Sequence, residues 1–348
     1  MSMRSARSAT CKLKRKTASM LSIERPDIRF ALEMVEAACR IGKRVQAEMN
    51  VEGIEKSDLS PVTVADYAIQ AYIGRRLREA FPDLQLVGEE SADALRGDDA
   101  AGTRRLIAQA VQHEIADASE SVICDWIDYG TADAEGAYWT IDPIDGTKGY
   151  LRGDQYAAAL AFIENGEVRL GALGCPNLDA ACRPQRGEGA VLIAARGEGA
   201  YARPLAGGSL ERIHCSPQAD KTQARLLRSV EKGHTNISET DLIAQALGVV
   251  ADPVPMDSQA KYAVLAAGGG EMLLRLMSPK MPDYKERIWD QAAGSIVLEE
   301  AGGRITDLKG KPLDFGHGRT LATNTGVFAS NGLLHDAGLE AIAQVCKL

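Results

Sequence analysis

Two aspartates stand three residues apart in the stretch WTIDPIDGTKGYLR, residues 139–152. Asp142 follows the apolar residues of a predicted strand, and Pro143 pushes it towards an extended conformation. Its carboxylate is therefore expected at the end of the strand, and that of Asp145 in the turn after it. Two hard oxygen ligands in this arrangement can share or bridge magnesium ions, which favour carboxylates and keep positions open for water and phosphate.

The residues after Asp145 suit a bound anion. Gly146 lets the backbone approach a ligand closely, and Thr147 presents its amide N–H at a predicted helix start. The sequence Asp-Pro-Ile-Asp-Gly also suits an ordinary tight turn, in which these residue types serve backbone geometry. The motif alone therefore leaves two interpretations open, a metal and phosphate site or a structural turn.

Other acids occupy positions where an uncompensated charge would be costly. Glu89 and Glu90 directly follow an apolar run in VGEES, which suggests a nearby cation, although a solvated loop remains an alternative, especially for Glu90. Asp66 in SPVTVADYA could equally be a first-turn acid favoured by the helix dipole. Asp290 in RIWDQAAG is expected to emerge from a largely buried helix, which implies a metal or a hydrogen-bond partner.

Helical periodicity predicts the first elements that position these residues. Apolar spacing predicts one long helix over residues 28–49 and a second over about 64–81, ending at Pro82. The polar, Ala-rich segment 91–121 is interpreted as a surface excursion rather than core, with a short helix around 104–115. Asn165 and Gly166 between two apolar runs predict a β-hairpin.

Two successive blocks of helices and strands predict a layered architecture with two mixed subdomains, residues 23–205 and 206–348. In the first block, strands are predicted in AYWTID, QYAAALAFIENGEVRLGALGCP, AVLIAA and GAYARPL. In the second block, strands are predicted in RLLRSVEK, EMLLRLM and RITDLKG, and helices in ETDLIAQALG, SQAKYAVLAAGGG and YKERIWDQAAGSIVLEEAGG.

Composition narrows the class of function. The 348 residues are 45% apolar with a net charge of -8, so a general binder of nucleic-acid backbone is disfavoured and a small-molecule partner is expected. Seven cysteines without a CxxC pair indicate a reducing compartment, and no apolar run reaches the roughly 18 residues of a membrane span. Residues 1–22 are basic and lack acids, which fits either an organelle transit peptide or a disordered start.

Several motifs, in order, resemble a known superfamily. GEES, WTIDPIDGT and WDQAAGSIVLEEAGG together resemble the lithium-sensitive, magnesium-dependent phosphatases of the inositol monophosphatase superfamily. The phrases SPVTVADYAIQ, DGTKGYLRGDQYA, LGALGCPNL, SVEKGH, DSQAKYAVLAAG and PLDFGHGRTLAT narrow the resemblance to its 3'(2'),5'-bisphosphate nucleotidases. The resemblance runs from about residue 23 to the C-terminus and implies an α+β fold, a layered αβαβα sandwich with the site between two subdomains.

The resemblance also implies roles for individual residues. Asp66 and Thr147 are implied to orient and deprotonate the attacking water, and the amides of Gly146 and Thr147 to hold the scissile phosphate. Two or three Mg²⁺ ions are implied, with Asp290 also touching substrate. The implied metal ligands are Glu89, Asp142, the Ile144 carbonyl, Asp145 and Asp290.

A second set of residues is implied to bind a nucleotide: Glu231, His234, Ser258, Lys261 and Arg275. Lys261 and Arg275 suit the counter-charge of a 5'-phosphate, which an arginine can hold through two hydrogen bonds. Each residue has a plainer alternative. Arg275 could pair with an acid, and His234 could be a loop histidine without a ligand.

The implied activity is magnesium-dependent hydrolysis of adenosine 3',5'-bisphosphate to AMP and phosphate, and of 3'-phosphoadenosine 5'-phosphosulfate, in sulfur assimilation. Lithium sensitivity, a monomer, no nucleic-acid or membrane partner, and a cytoplasmic or organellar location are expected. One alternative is an inositol monophosphatase or polyphosphate 1-phosphatase. Another is a non-catalytic sensor, which the presence of all the implied acids disfavours. Segment 95–122 matches the family only loosely, so it is either a lid or a passive surface.

Overall fold

The structure is a computed structural model that describes residues 21–48, 64–229, 237–278, 280–281 and 283–347. The helices are α1 Pro26–Glu48, α2 Val64–Ala80, α3 Ala101–Gln112, α4 Glu120–Asp128, α5 Thr147–Arg152, α6 Ile237–Leu247, α7 Ala260–Ala266, α8 Ala292–Glu300 and α9 His335–Cys346. The strands are β1 Gln85–Gly88, β2 Ala137–Asp145, β3 Ala157–Glu164, β4 Glu167–Cys175, β5 Ala190–Ala195, β6 Gly199–Pro204, β7 Glu211–Arg212, β8 Leu226–Arg228, β9 Val254–Pro255, β10 Met272–Arg275, β11 Arg304–Thr306 and β12 Val327–Ser330.

The first sheet has seven strands in the order β1-β2-β3-β4-β5-β6-β7. Strands β1 and β2 are parallel, and each later pair is antiparallel. The β3–β4 connection is the predicted hairpin, with Asn165 at φ 53° and Gly166 at φ 78°. Two left-handed residues in a two-residue turn match the twist of the strands that they join, so this prediction is confirmed.

The second sheet has the order β11-β12-β10-β8-β9 and contains both parallel and antiparallel pairs. Helices α1 and α2 cover one face of the first sheet, α3 and α4 pack on α2, and α7 and α8 fill the space between the two sheets. Helices α6 and α9 cover the outer face of the second sheet. The predicted α+β class and the implied αβαβα sandwich are both confirmed.

The periodic helices agree with the sequence. Helix α1 spans Pro26–Glu48, as against the predicted residues 28–49, and α2 ends at Ala80, just before Pro82. Their apolar faces pack on the first sheet, where Ile28, Val35 and Ile69 are fully buried. Within the described residues, no helix is both long enough and apolar enough to cross a membrane.

Two predictions about elements are wrong. Segment 91–121 is not a surface excursion, because α3 packs on α2 and its Ile107 and Val111 are fully buried. The apolar positions of α3 repeat at helical spacing even though alanines and charges dominate its composition. The long helix predicted from Tyr284 begins only at Ala292.

The late start of α8 has a tertiary cause. Arg287 forms an antiparallel bridge with Thr320, and the Ile288 amide N–H donates to the Arg319 carbonyl at 3.2 Å. These main-chain groups are therefore satisfied by a distant segment instead of a helical turn. The sequence had suggested that Asp290 lies within a helix. It lies instead in the turn before α8.

Candidate active site

A cavity of about 620 Å³ opens at the edge where β1 and β2 end. Residues of the first sheet, of α5, of the segment that enters α7, and of the turn before α8 line it together. The predicted site residues that line it are Glu89, Asp142, Ile144, Asp145, Gly146, Thr147, Ser258, Lys261, Arg275 and Asp290. Glu231 and His234 lie outside the described residues.

A bulge in β2 brings both aspartates of the central motif to this cavity. Asp142 pairs with Ala159 and Asp145 with Ala157, so one extra residue lies between the two pairs. Side chains three residues apart in a regular strand point to opposite faces, and one extra residue returns them to the same face. Asp145 therefore belongs to β2 and does not lie in a turn after it, contrary to the prediction.

Gly146 and Thr147 make the transition from β2 to α5. Gly146 has φ 90°, a left-handed conformation, and a Cβ at this position would lie 2.9 Å from the Cβ of Ser258. Ser258 itself has φ 66°, which is uncommon for a residue other than glycine. The Thr147 hydroxyl donates to the Ile144 carbonyl at 3.3 Å. The close approach of residues 146 and 258 thus closes one wall of the cavity.

Glu89 lines the cavity, whereas Asp66 lies near it without lining it. Glu89 directly follows β1, which runs parallel to β2, so its side chain emerges at the same edge as Asp142. Asp66 lies in the first turn of α2, is 2% exposed, and is close enough to raise the pKa of both Glu89 and Asp142. Glu90 is buried, so its interpretation as a solvated loop residue is wrong.

The acids of the cavity destabilise one another's charged forms. Glu89 is exposed towards the cavity, whereas Asp142 is buried. Loss of hydration within the cavity, then the charge of neighbouring acids, raises the pKa of both carboxyl groups above the ordinary range. Burial also raises the pKa of Asp145, against the opposing charges of Arg275 and Lys261. Burial raises the pKa of Asp290 to about 7, although Arg275 acts in the opposite direction.

The donor set fits a divalent cation. Asp142 Oδ1 is buried, and no described residue donates a hydrogen bond to it. A carboxylate oxygen without a donor among like charges is stabilised by a nearby positive ion, and carboxylate and carbonyl oxygens are the ligands that Mg²⁺ prefers. Among the described residues, no three acid, His or Cys side chains already converge as a metal cluster. The acids share a cavity and do not form a finished coordination shell.

Two cations, a buried lysine and a half-buried arginine, lie close to the acids. Lys261 is 7% exposed, and burial together with the charge of Arg275 lowers its pKa to about 8. The Arg275 guanidinium pairs with Glu286 at 2.8 Å and with Asp290 at 3.6 Å. The plainer sequence interpretation of Arg275, that it pairs with an acid, therefore holds even though the residue also lines the cavity.

The sequence analysis missed an aromatic and cationic part of the wall. Arg319 lies 4.9 Å and Arg287 5.8 Å from the centroid of the Trp289 ring, and all three residues line the cavity with Tyr284. Arg287 and Trp289 come three residues and one residue before Asp290. This proximity in sequence could have identified them as residues of the cavity wall. Arg319 belongs to the phrase PLDFGHGRTLAT, but no spacing in the sequence connects it to Trp289.

A five-layer αβαβα fold with acids at the ends of two parallel strands and before a helix of the middle layer defines the class. The chain belongs to the inositol monophosphatase family, whose model matches residues 20–345. Members of this family generally depend on a metal ion.

The chain is also similar to several curated proteins over most of its length. The chain is 39% identical over 348 aligned residues to 3'(2'),5'-bisphosphate nucleotidase of Emericella nidulans, covering 92% of this chain and 98% of the relative. It is 38% identical to the enzyme of the same name from Oryza sativa, covering 92% and 94% of the two chains. The relative of that name from Schizosaccharomyces pombe is 41% identical, with 84% and 86% covered.

Solved structures share the fold at low sequence identity. An inositol monophosphatase of Thermotoga maritima superposes with a TM-score of 0.63 at 22% identity, covering 93% of this chain and 99% of that one. The inositol monophosphatase from Anabaena gives a TM-score of 0.60 at 20% identity, with 91% and 94% covered. These structures establish the architecture of the chain.

Proposed function

We propose that the chain is a magnesium-dependent 3'(2'),5'-bisphosphate nucleotidase that hydrolyses adenosine 3',5'-bisphosphate to AMP and phosphate. The observation that carries the proposal is that a single cavity is lined by both acids and cations. It is lined by Glu89, Asp142 and Asp145, termed its acidic side, and by Lys261 and Arg287, termed its cationic side. A substrate with two phosphates suits this combination, because one phosphate would be held through a metal and the other by positive side chains.

The acidic side would hold Mg²⁺ through the carboxylates of Glu89, Asp142, Asp145 and Asp290 and the Ile144 carbonyl. Two or three bound ions would neutralise charge on the reacting phosphate and acidify the attacking water. Asp66, with the Thr147 hydroxyl, would orient that water and accept its proton at a carboxylate oxygen. The amides of Gly146 and Thr147 would donate hydrogen bonds to the phosphate that is released.

The cationic side would recognise the rest of the nucleotide. Lys261 supplies an ammonium for the 5'-phosphate, and the Ser258 hydroxyl lies on the same wall of the cavity. Arg275 contributes charge while it is held by Glu286 and Asp290, and Arg287 adds an exposed guanidinium. Glu231 and His234 remain predicted nucleotide contacts.

The same site would accept 3'-phosphoadenosine 5'-phosphosulfate, which carries the same 3'-phosphate, so the activity would serve sulfur assimilation and nucleotide turnover. Lithium would inhibit by replacing a magnesium ion. The chain is proposed to act as a monomer on a small nucleotide, without nucleic-acid or membrane partners. Its place would be the cytoplasm or, if residues 1–22 are a transit peptide, a mitochondrion or plastid.

Phosphate release tests the proposal. The purified chain with magnesium is offered adenosine 3',5'-bisphosphate, inositol 1-phosphate, inositol 1,4-bisphosphate and fructose 1,6-bisphosphate, each with and without millimolar lithium. Strong preference for the nucleotide with suppression by lithium is expected. Preference for an inositol phosphate would keep the metal site and overturn the nucleotide assignment.

The sensor alternative requires a separate comparison. Asp145→Asn is assayed beside the unaltered chain for nucleotide binding and for phosphate release. We expect both proteins to bind the nucleotide but only the unaltered chain to release phosphate. Binding by both proteins without any phosphate release would favour a sensor.

A further inference from the structure

Two buried glutamines connect the segments that carry the acids of the site. Gln70 is completely buried, and Gln259 is 2% exposed. They belong to the phrases SPVTVADYAIQ and DSQAKYAVLAAG, in which other residues have an implied role but the glutamines have none. Neither side chain lines the cavity, and each uses both atoms of its amide on main-chain groups.

Gln70 joins α2 to the end of β1. Its Nε2 donates to the Glu90 carbonyl at 2.6 Å and to the Ile127 carbonyl at 2.9 Å. Its Oε1 accepts from the Glu90 amide at 3.0 Å. Gln70 follows Asp66 by one helical turn, so both side chains lie on the same buried face of α2. One amide thus ties the helix that carries Asp66 to the residue next to Glu89.

Two glycines leave room for this amide. A Cβ on Gly88 would overlap Gln70 Oε1, and a Cβ on Gly130 would lie 2.6 Å from Gln70 Nε2. The β1 end and the loop after α4 therefore enclose the amide on both sides. Such close enclosure restricts the rotamers of Gln70 and, through its hydrogen bonds, the main chain at Glu90.

Gln259 makes an equivalent connection on the other side of the site. Its main-chain N–H donates to Asp145 Oδ2 at 2.5 Å. Its side-chain Nε2 donates to the Trp289 carbonyl at 2.9 Å, and its Oε1 accepts from the Gly294 amide at 3.1 Å. One residue thus holds the carboxylate of Asp145 and the main chain on both sides of Asp290.

We propose that Gln70 and Gln259 are positioning residues that set the spacing of the carboxylates around the metal. Gln70 fixes Glu89 relative to Asp66, and Gln259 fixes Asp290 relative to Asp145. The inference rests on the proposed function, because it takes these acids to be metal ligands. An uncharged amide suits this role, since it can donate and accept hydrogen bonds without adding a further charge to a site crowded with acids.

The role predicts weaker metal binding when either amide is removed. Methionine has nearly the shape of glutamine but makes no comparable hydrogen bonds, so Gln70→Met and Gln259→Met test the amides alone. Loss of a residue that orients metal ligands typically weakens metal affinity 10–100-fold. We expect each variant to need about 10–100-fold more magnesium for half-maximal thermal stabilisation in the absence of substrate, and for half-maximal phosphate release.

Asn331 provides a matched control. It is 3% exposed, and its amide bonds the Ser216 and Gln218 carbonyls and the Leu334 amide, at 2.9, 2.8 and 3.2 Å. Asn331→Leu therefore loses a buried amide with three main-chain bonds that does not line the cavity. We expect a lower melting temperature with a magnesium requirement within about two-fold of the unaltered chain.

Gly88→Ala is the second test if a glutamine variant fails to fold. Its methyl group would displace the Gln70 amide without removing it. We expect the magnesium requirement to rise, because the displaced amide would no longer hold the main chain at Glu90. Gly102→Ala, where a Cβ meets nothing within 4 Å, is its control. Magnesium requirements that match those of Asn331→Leu and Gly102→Ala would overturn the inference. An unaltered chain without any response to magnesium would instead overturn the proposed function, and the positioning role with it.

Discussion

Arg287 offers a test of recognition at the scale of one residue. It is exposed and lines the cavity, and its guanidinium lies over the Trp289 ring. A hydrogen bond between charged groups contributes about 1.5–3 kcal/mol, so Arg287→Ala should raise KM for the bisphosphate about 10–100-fold with a smaller change in kcat. Steady-state kinetics on adenosine 3',5'-bisphosphate measure this change. Arg183→Ala, an exposed arginine outside the cavity wall, is the control, and equal KM values for the two variants would contradict the assignment.

Asp142 should show opposite effects on activity and stability. Burial and the neighbouring acids raise its pKa, so its charged form costs free energy in the metal-free fold. Asp142→Asn removes that charge, and we expect a higher melting temperature without metal at pH 8 together with at least about a thousand-fold loss of phosphate release. Thermal unfolding in the presence of a chelator and a phosphate assay check the two effects. A variant that is less stable without metal would contradict the electrostatic account.

The acids that line the cavity were easier to predict from the sequence than the residues around Trp289 that line it with them. Asp142, Asp145 and Glu89 follow apolar strands closely, so their unusual positions are visible in sequence. Arg319 reaches the cavity because its guanidinium donates to the Gly88 and Ala132 carbonyls and stacks on Trp289. These partners are far from Arg319 in sequence, and local patterns carry no information about them.

At the scale of elements, the two ends of α5 provide a matched pair of glycines. Gly146 has φ 90° and Gly153 has φ 74°, but a Cβ on Gly146 would approach Ser258, whereas one on Gly153 meets nothing within 4 Å. Gly153→Ala should cost about 1–2 kcal/mol of stability from the left-handed backbone alone. Gly146→Ala should cost more and should also abolish phosphate release, because the wall at residues 146 and 258 must move. Chemical denaturation and the phosphate assay measure both effects, and equal activity in the two variants would contradict this prediction.

His335, at the start of α9, gives the fold a defined sensitivity to acid. Thr306 Oγ1 donates to the Asp307 carbonyl and so must accept from His335 Nε2, while His335 Nδ1 accepts from Ser330 Oγ. Burial lowers the pKa of His335 to about 4, below the usual value near 6.5. The unfolded chain therefore binds the proton more readily, and stability should fall as the pH drops from about 6.5 to 4.

Replacement of His335 tests this dependence. We expect His335→Gln to be less stable than the unaltered chain at pH 7, but with a shallower loss of stability between pH 6.5 and 4. Urea unfolding at several pH values measures the slope. Parallel pH profiles for the two proteins would show that another group titrates in this range.

Elements with strong periodicity were predicted well, and those governed by distant contacts were not. The apolar stripe of α1 and the Asn-Gly turn after β3 are local signals. The extended segment before α8 depends on hydrogen bonds to Arg319 and Gln259, which no local window contains. The bulge of β2 is similar, because it is defined by pairing with β3.

At the scale of the whole molecule, one apolar core joins the two sheets. Leu173 of β4, Ile296 of α8 and Leu273 of β10 belong to the same buried cluster. Since α8 packs on strands of both sheets, neither sheet keeps its inner face covered if the other unfolds. Calorimetry should therefore show a single unfolding transition. Two resolved transitions would contradict this expectation.

The order of the blocks along the chain was sufficient to predict layering, but not the shared middle layer. The division of the chain near residue 205 stays a prediction, and β7 at Glu211–Arg212 still pairs with the first sheet. Alternation of strands and helices reports which elements exist. Which faces they share depends on packing between residues that are distant in sequence.

The main-chain N–H of Gln259 donates a hydrogen bond to Asp145 Oδ2, and this bond affects which metal ion would suit the site. One oxygen of this carboxylate is already engaged, which leaves Oδ1 as the oxygen open to a cation. Asp145 is therefore suited to monodentate ligation. Calcium commonly takes bidentate carboxylates in shells of six to eight oxygens, whereas magnesium requires a compact octahedron. In the proposed metal site, the main-chain N–H of Gln259 would thus favour the smaller ion through a hydrogen bond that does not involve the metal itself.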